Sequence, residues 1–318
     1  MSVKIRLAVR DWDFLTPLAL GDLKPEGFTL ELDRVNALEN DLAGNPRYEG
    51  GEISLSRYAQ GRARGDQSLY GVPHFIMRGF RQHCVITTRE SPITSFAQLQ
   101  GKNIGLTGWQ DSGNVWTRAL LGREGVGIEQ ARWFVGRLTA AHPIQDRLGG
   151  FGRPGLIDAA PGEAPLVDML HDGTLDAVFT PFMPSGFFEP DSGLRPLLPD
   201  CRAAEVAYFH DVGYMPGIHL LCLKPAVVAE RPWLPQALSE LFDESARVWL
   251  EKRIKYADTT PWILDEIERT RRELPEHWNR NGYAANVRML DDFCAELQVQ
   301  GITAARLSPR DLFPQYAV

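Results

Sequence analysis

Hydrophobic and polar positions alternate in three short runs near the start of the chain: KIRLAV (4–9), FTLELDRV (28–35) and GEISLSRYA (51–59). A period of two puts the apolar side chains on one face, so these runs predict strands or strand-to-helix junctions. HCVITT (83–88) is a further apolar, β-branched run. Beyond it the rhythm changes. SPITSFAQLQGKNIGLTG (91–108) reads as a turn, a short helix and a strand over Asn103–Leu106 that ends in glycine. In SGNVWTRALLGREGVG (112–127) Ser112 stands where an N-cap belongs, and Gly125 or Gly127 closes the helix. A strand, a glycine-containing loop and a helix in succession predict a parallel β-α unit.

Residues 136–165 are rich in Gly and Pro and predict a long surface loop, a length that in a compact domain suggests a lid or a ligand-contacting segment. PLVDMLHDGTL (165–175) predicts a helix, DAVFTP (176–181) a strand, FMPSGFFEPDSG (182–193) a loop and GIHLLCLK (217–224) a second buried strand. From Pro232 onward the pattern is helical. Leu234, Leu238, Leu241, Phe242, Ser245, Val248 and Trp249 share one face, and Asn286, Leu290, Phe293 and Leu297 share another. The strands ending near 88 and beginning near 217 are read as paired crossings between two lobes. The expected division is 1–88 with 217–318, carrying the C-terminal helices, and 89–216. The fold class is then α/β, two-lobed, with a central cleft where loops and helix mouths gather beyond the strand ends.

The chain has 318 residues, 44% of them hydrophobic, enough for two lobes of ordinary size. Its formal charge of −7 excludes a general nucleic-acid or anionic-membrane surface, which needs a basic footprint. Any bound anion must meet a local cluster of cations. The amino-terminal stretch carries charge inside its apolar run, which reads as cytoplasmic, and no window approaches a membrane span. Cys84, Cys201, Cys222 and Cys294 form no CxxC pair and read as buried thiols. The seven histidines show no HxH or HExxH spacing, so neither a metal nor a cofactor is expected.

Five stretches place polar groups at predicted strand ends: RDWD (10–13), GEISLSRY (51–58), GWQDSGNVW (108–116), MPGIHL (215–220) and the pair Arg78 and Arg81 in FIMRGFRQH. The planar fork of arginine suits carboxylate or phosphate, and the helix opening at Ser112 offers backbone N–H groups and a partial positive charge. Each has a plainer explanation. Arg78 and Arg81 could pair with Glu52 or Asp11, His219 could be a hydrogen-bonded core histidine, and Trp109 and Trp116 could be packing.

YEGGEISLSRY (48–58), GVPHFIMRGFRQH (71–83), GKNIGLTGWQDSGNVWTRALLGREGVG (101–127), LHDGTLDAVFTP (170–181), YFHDVGYMPGIH (208–219) and the tail from Glu276 to Tyr316 resemble the 4,5-dihydroxyphthalate decarboxylase family. The resemblance runs in matching order from about residue 4 to 316. Its most specific part is the tail, with Trp278, Gly282, Asn286, Gln300, Gly301, Leu312 and Phe313. It implies a cytoplasmic protein on the type II periplasmic-binding-protein-like fold, holding a small-molecule carboxylate between its lobes. There is one departure. Family members tend to read Phe-Arg-His where this chain has Phe80-Arg81-Gln82, with His83 one place later. In a strand that shift turns a side chain to the opposite face.

The activity implied is non-oxidative decarboxylation of a hydroxylated aromatic acid. Arg78, Arg81 and Arg118 are then expected to hold carboxylates, with Trp109, Ser112, Asn114, Ser54 and Asp11 completing the binding surface. His219 is the expected proton donor, Glu52 the acceptor of a phenolic proton, and His83 the further catalytic candidate. Two competing readings are a solute-binding module for a small acid and a hydrolase of a cyclic or aromatic substrate. Ser54, Ser56 and Ser112 are available to the second, but no GxSxG elbow accompanies them. Neither nucleic acid nor membrane is an expected partner, and a homo-oligomer built on the C-terminal helix faces stays open.

Overall fold

The computed structural model describes residues 3–317. Among them run eleven strands: β1 (Val3–Val9), β2 (Phe28–Arg34), β3 (Gly50–Ser54), β4 (Tyr70–Arg78), β5 (Val85–Thr88), β6 (Asn103–Leu106), β7 (Arg132–Val135), β8 (Ile157–Ala159), β9 (Ala177–Phe179), β10 (Leu194–Pro196) and β11 (Gly217–Leu223). They form two sheets in two compact units.

The first unit gathers residues up to 78, 217–288 and those from 308 onward. Its sheet has the order β2-β1-β3-β11-β4, with β1 parallel to both β2 and β3, and β11 antiparallel to β3 and β4. The alternation in KIRLAV does what its period demands. Ile5, Leu7 and Val9 enter one core with Phe28, Val72, Ile76, Leu221 and Leu223. The helix Leu234–Lys255 closes that core with Leu234, Leu238 and Phe242, and its buried Ser245 donates to the carbonyl of Phe14 at 2.8 Å. Each fully buried side chain of this kind contributes about 1.5–3 kcal/mol. Gly50 and Gly51 are the residues that let β3 run in the middle. A Cβ on Gly50 would lie 2.3 Å from the carbonyl oxygen of Cys222, and one on Gly51 2.4 Å from that of Ala8.

The second unit gathers 79–216 and 289–307. Its sheet has the order β10-β5-β9-β6-β7-β8, parallel across β9, β6, β7 and β8, with β5 antiparallel to β9 and β10. Ile86, Phe134, Leu166, Met169, Leu170, Val178 and Leu194 form its core. Helix Ser112–Arg123 follows β6 as the β-α reading predicts, and Trp116 stacks obliquely on Phe293 with ring centroids 5.0 Å apart. Residues 79–88 and 289–307 cluster here rather than with the first unit, because β5 ladders onto β9 and β10, and Phe293 packs on Trp116. The 136–165 stretch is not wholly irregular, since it contains β8. Strands β7 and β10 and the helix Cys201–Val212 are further elements the hydrophobic pattern does not predict.

Candidate functional site

Each sheet has a point where its strand order reverses. In the first unit the chain leaves β1 toward β2 on one side and toward β3 on the other. In the second, β6 leads to β7 on one side and has β9 on the other. Open α/β sheets bind ligands beyond the carboxyl ends of the strands at such points.

At the first reversal sits Glu52, on β3 and only 1% exposed. Its Oε2 accepts from the backbone N–H of Arg10 at 2.8 Å and from the indole Nε1 of Trp12 at 2.9 Å, both just past the end of β1. Its Oε1 lies 2.5 Å from Nδ1 of His219 on β11. The strand period explains the meeting. Glu52 and Ser54 share one face of β3, and His219 stands directly opposite Ser54 in the antiparallel ladder. The pairing of β11 with β4 is irregular on both sides of His219, and on the Leu221 side the skipped stretch of β4 carries Pro73, a residue that cannot donate to a ladder. A bulge of this sort re-aims a side chain. The carboxylate can only accept, so it draws the proton of the imidazole to Nδ1 and leaves Nε2 as the ring nitrogen not engaged by Glu52. Both Glu52 oxygens are engaged and the side chain is buried, so its position is that of an orienting group behind His219 rather than one meeting a phenol.

At the second reversal sits Arg81, 3% exposed. Its guanidinium makes only long hydrogen bonds, 3.3 Å to Thr117 Oγ1 and 3.4 Å to the carbonyl of Thr180, which follows β9. Among the described residues no carboxylate lies within 4.0 Å of it. It lies against the first turn of helix Ser112–Arg123, where a Cβ on Gly113 would stand 3.0 Å from Nη2. A larger residue there would make the guanidinium give way by a few tenths of an ångström. A buried cation without a counter-ion beside a helix N-terminus, itself partly positive, is a place where an anion is favoured.

The remaining residues proposed from sequence divide sharply. Arg78 ends β4, and its Nη2 donates to Asn286 Oδ1 at 2.8 Å and to the carbonyl of Arg280 at 3.0 Å, with the guanidinium 4.7 Å from the Phe75 ring centroid. Burial lowers its pKa to about 10, so it stays cationic at neutral pH. It ties β4 to the tail. Arg118 is likewise bound by the protein itself: Nε donates to Gln300 Oε1 at 2.7 Å and Nη2 to the carbonyl of Trp109 at 2.6 Å, over the Trp109 ring. Trp109, 1% exposed, packs edge-on to Trp133 and donates to the carbonyl of Gln300. Asn114 braces the loop after β6 through Thr107 and Gly108. Ser54 caps helix Leu55–Ala63, and Ser112 is buried in the first turn of its helix. Asp11 is exposed and paired with Arg34.

His83 is not in a strand at all. Residues 82–84 form one 3-10 turn, so the face-flipping that a one-residue shift causes in a strand does not apply. It hydrogen-bonds Glu205 on helix Cys201–Val212. Hydrogen bonding to Cys84 and Glu205 raises its pKa to about 10, so it is charged at neutral pH and has no lone pair to accept a proton. Trp12 is a member the sequence pattern does not single out, although its place in RDWD at the end of a strand is the available signal. A cavity of about 880 Å³ runs along β1 and β2, lined by Arg10, Asp11 and Trp12 among others, but neither Glu52 nor His219 lines it. Among the described residues no three His, Cys, Asp or Glu side chains are placed to hold a metal, and no helix is long and apolar enough to cross a membrane.

Over 322 residues the chain is 28% identical to a 4,5-dihydroxyphthalate decarboxylase of Comamonas testosteroni, covering 98% of this chain and 96% of that protein. It is also 26% identical over 220 residues to a 4,5-dihydroxyphthalate decarboxylase of Pseudomonas putida, covering 67% of this chain and 84% of that one. The chain is similar in sequence to these two decarboxylases. No protein-family profile matches it. Among solved structures the alkanesulfonate-binding protein SsuA of Xanthomonas axonopodis pv. citri, bound to MOPS, superposes with a TM-score of 0.59 at 12% identity, covering 98% of this chain and 97% of the other. That likeness is one of fold, the two-lobed solute-binding-protein architecture that the sequence resemblance implied.

Proposed function

We propose that the protein is a decarboxylase of a hydroxylated aromatic carboxylic acid, with 4,5-dihydroxyphthalate as the type of substrate. Similarity over 98% of the chain to one protein of that name, and over 67% of it to another, supports the reaction class. The observation that carries the chemistry is the Glu52–His219 pair at the strand-order reversal. In its charged form His219 gives the Nε2 proton to the ring carbon that bears the carboxylate. The bond between that carbon and the carboxylate then breaks, its electron pair returns to the ring, and carbon dioxide leaves. A ring hydroxyl supplies electron density to the carbon being protonated. Glu52 holds the imidazole in the required tautomer and stabilises the imidazolium before transfer. Within the second unit, taken by itself, Arg81 is the cation suited to an acid group.

The proposed course is non-oxidative, and the proposed compartment is the cytoplasm, where cell fractionation would find the activity. The test is to incubate the pure protein with hydroxylated phthalates and benzoates, with and without chelator, and to follow carbon dioxide. Release that depends on His219 supports the reading. Binding without release across the panel discards it in favour of solute capture.

A further inference from the structure

The Gly- and Pro-rich stretch 136–165 crosses the carboxyl ends of β7 and β8, and there it encloses a cavity of about 220 Å³. That volume suits a group the size of a carboxylate with part of its ring. Arg137 and Arg147 line it, with Gln145 between them in sequence. Arg137 is held by its own loop, through the carbonyls of Glu163 at 3.0 Å and Ala140 at 3.3 Å. Arg147 is held poorly. Its Nη1 reaches the carbonyl of Thr107, at the end of β6, at 3.4 Å, and its Nη2 that of Pro143 at 3.2 Å. Its Nε is buried with no hydrogen-bond partner among the described residues. Among the described residues no carboxylate lies within 4.0 Å of its guanidinium, and burial lowers its pKa, with Asp111 acting against that from further away. Two acids, Asp146 and Glu163, also line the cavity, and Asp146 accepts from the backbone N–H of Leu148 in its own turn. Thr107 opens the segment that runs to Gly113, so Arg147 and Arg81 stand at the two ends of one loop in the second unit.

We propose that this cavity is a second carboxylate subsite, with Arg147 as its cation, and that it selects dicarboxylic over monocarboxylic aromatic acids. The inference deepens the acid-binding part of the proposed function and rests on it. An under-satisfied, half-buried guanidinium is a cost that a structure retains where a ligand supplies the missing acceptor. Arg147 acts as a specificity-determining residue and takes no part in proton transfer.

The experiment is calorimetric titration of wild-type protein and of R147Q and R147K with two matched pairs of acids. One pair is 4,5-dihydroxyphthalate and 3,4-dihydroxybenzoate, and the other is phthalate and benzoate, which lack the hydroxyls. The wild type is expected to prefer the dicarboxylate in at least one pair. In R147Q, Kd for that dicarboxylate should rise about 10- to 100-fold, the range for a lost charge-assisted hydrogen bond, while Kd for its monocarboxylate partner changes less than about threefold. R147K should recover part of the preference. Equal weakening of both acids, with a lowered melting temperature, would make Arg147 a loop pin and overturn the proposal. So would a wild type with no preference in either pair, or R147Q indistinguishable from wild type. Preference for phthalate over benzoate that vanishes in R147Q supports the subsite even if no acid is turned over, in which case it is the decarboxylase reading that fails.

Discussion

Replacing Glu52 with Gln probes the pair on which the chemistry rests, and its effect can be worked out from three hydrogen bonds. The native carboxylate accepts at 2.8 Å and 2.9 Å on one oxygen and at 2.5 Å on the other. Gln has one accepting oxygen and one donating nitrogen. If the oxygen stays with Arg10 and Trp12, the amide N–H faces Nδ1 of His219 and forces its proton to the other ring nitrogen. If the amide turns over, two donors meet an N–H instead. Either arrangement removes the carboxylate from the imidazolium. A hydrogen bond to a charged group is worth about 1.5–3 kcal/mol, or roughly 10- to 150-fold, before the tautomer error is added. Misplaced tautomers in carboxylate–histidine pairs cost up to about 10,000-fold in other enzymes. The expected result is a kcat for carbon dioxide release lower by about 100- to 10,000-fold. One buried group left unsatisfied costs about 1–3 kcal/mol, a fall in Tm of a few to about ten degrees for a unit of this size. Calorimetry reports the second number and steady-state carbon dioxide release the first. A kcat within about threefold of wild type would refute the orienting role of Glu52.

Other substitutions test separate parts of the reading. His219→Gln should keep ligand affinity within a few-fold while losing turnover, and full activity would remove His219 as the proton donor. Arg81→Met takes away a buried cation that has no counter-ion among the described residues, so Tm without ligand should stay level or rise while affinity for aromatic acids falls at least tenfold; unchanged affinity in calorimetry would discard the anion role. His83 has its folded pKa raised above the unfolded value by Cys84 and Glu205. The stabilisation it gives is therefore complete below the unfolded value near 6.5 and is lost as pH rises toward 10. His83→Gln should melt lower than wild type at pH 6, with the gap closing by pH 10, while turnover at neutral pH stays close to wild type.

Period-two and period-3.6 patterns made much of the architecture legible because those residues are chosen by the face they bury. Ile5, Leu7 and Val9 alternate into the core, and Leu234, Leu238 and Phe242 recur at helical spacing. Strands β7, β8 and β10 escaped because three or four residues give no period to read, and β6 and β9, equally short, were legible only through the turn and helix signals beside them. The site was legible by residue type but not by role. Arg78, Arg81 and Arg118 look alike in sequence, and only the acceptors that fold around them separate two closely bound cations from one held by long hydrogen bonds alone. Those acceptors, Asn286 and Gln300, lie roughly two hundred residues away along the chain. Glu52 stands out in sequence, yet the partners that hold its carboxylate, Trp12 and Arg10, are flagged by a strand-end motif that does not say where they point.

The last thirty or so residues belong to both units. Gln300 supplies the acceptor for Arg118 and Phe293 packs on Trp116 in one, while the carbonyl of Leu312 accepts from the Tyr58 hydroxyl in the other. Domains usually complete themselves in order as a chain is synthesised. Here neither half can close its hydrogen bonds until that terminal stretch has emerged from the ribosome. Nascent chains stalled before it should remain protease-sensitive throughout, and a fragment cut at residue 216 should not behave as a domain.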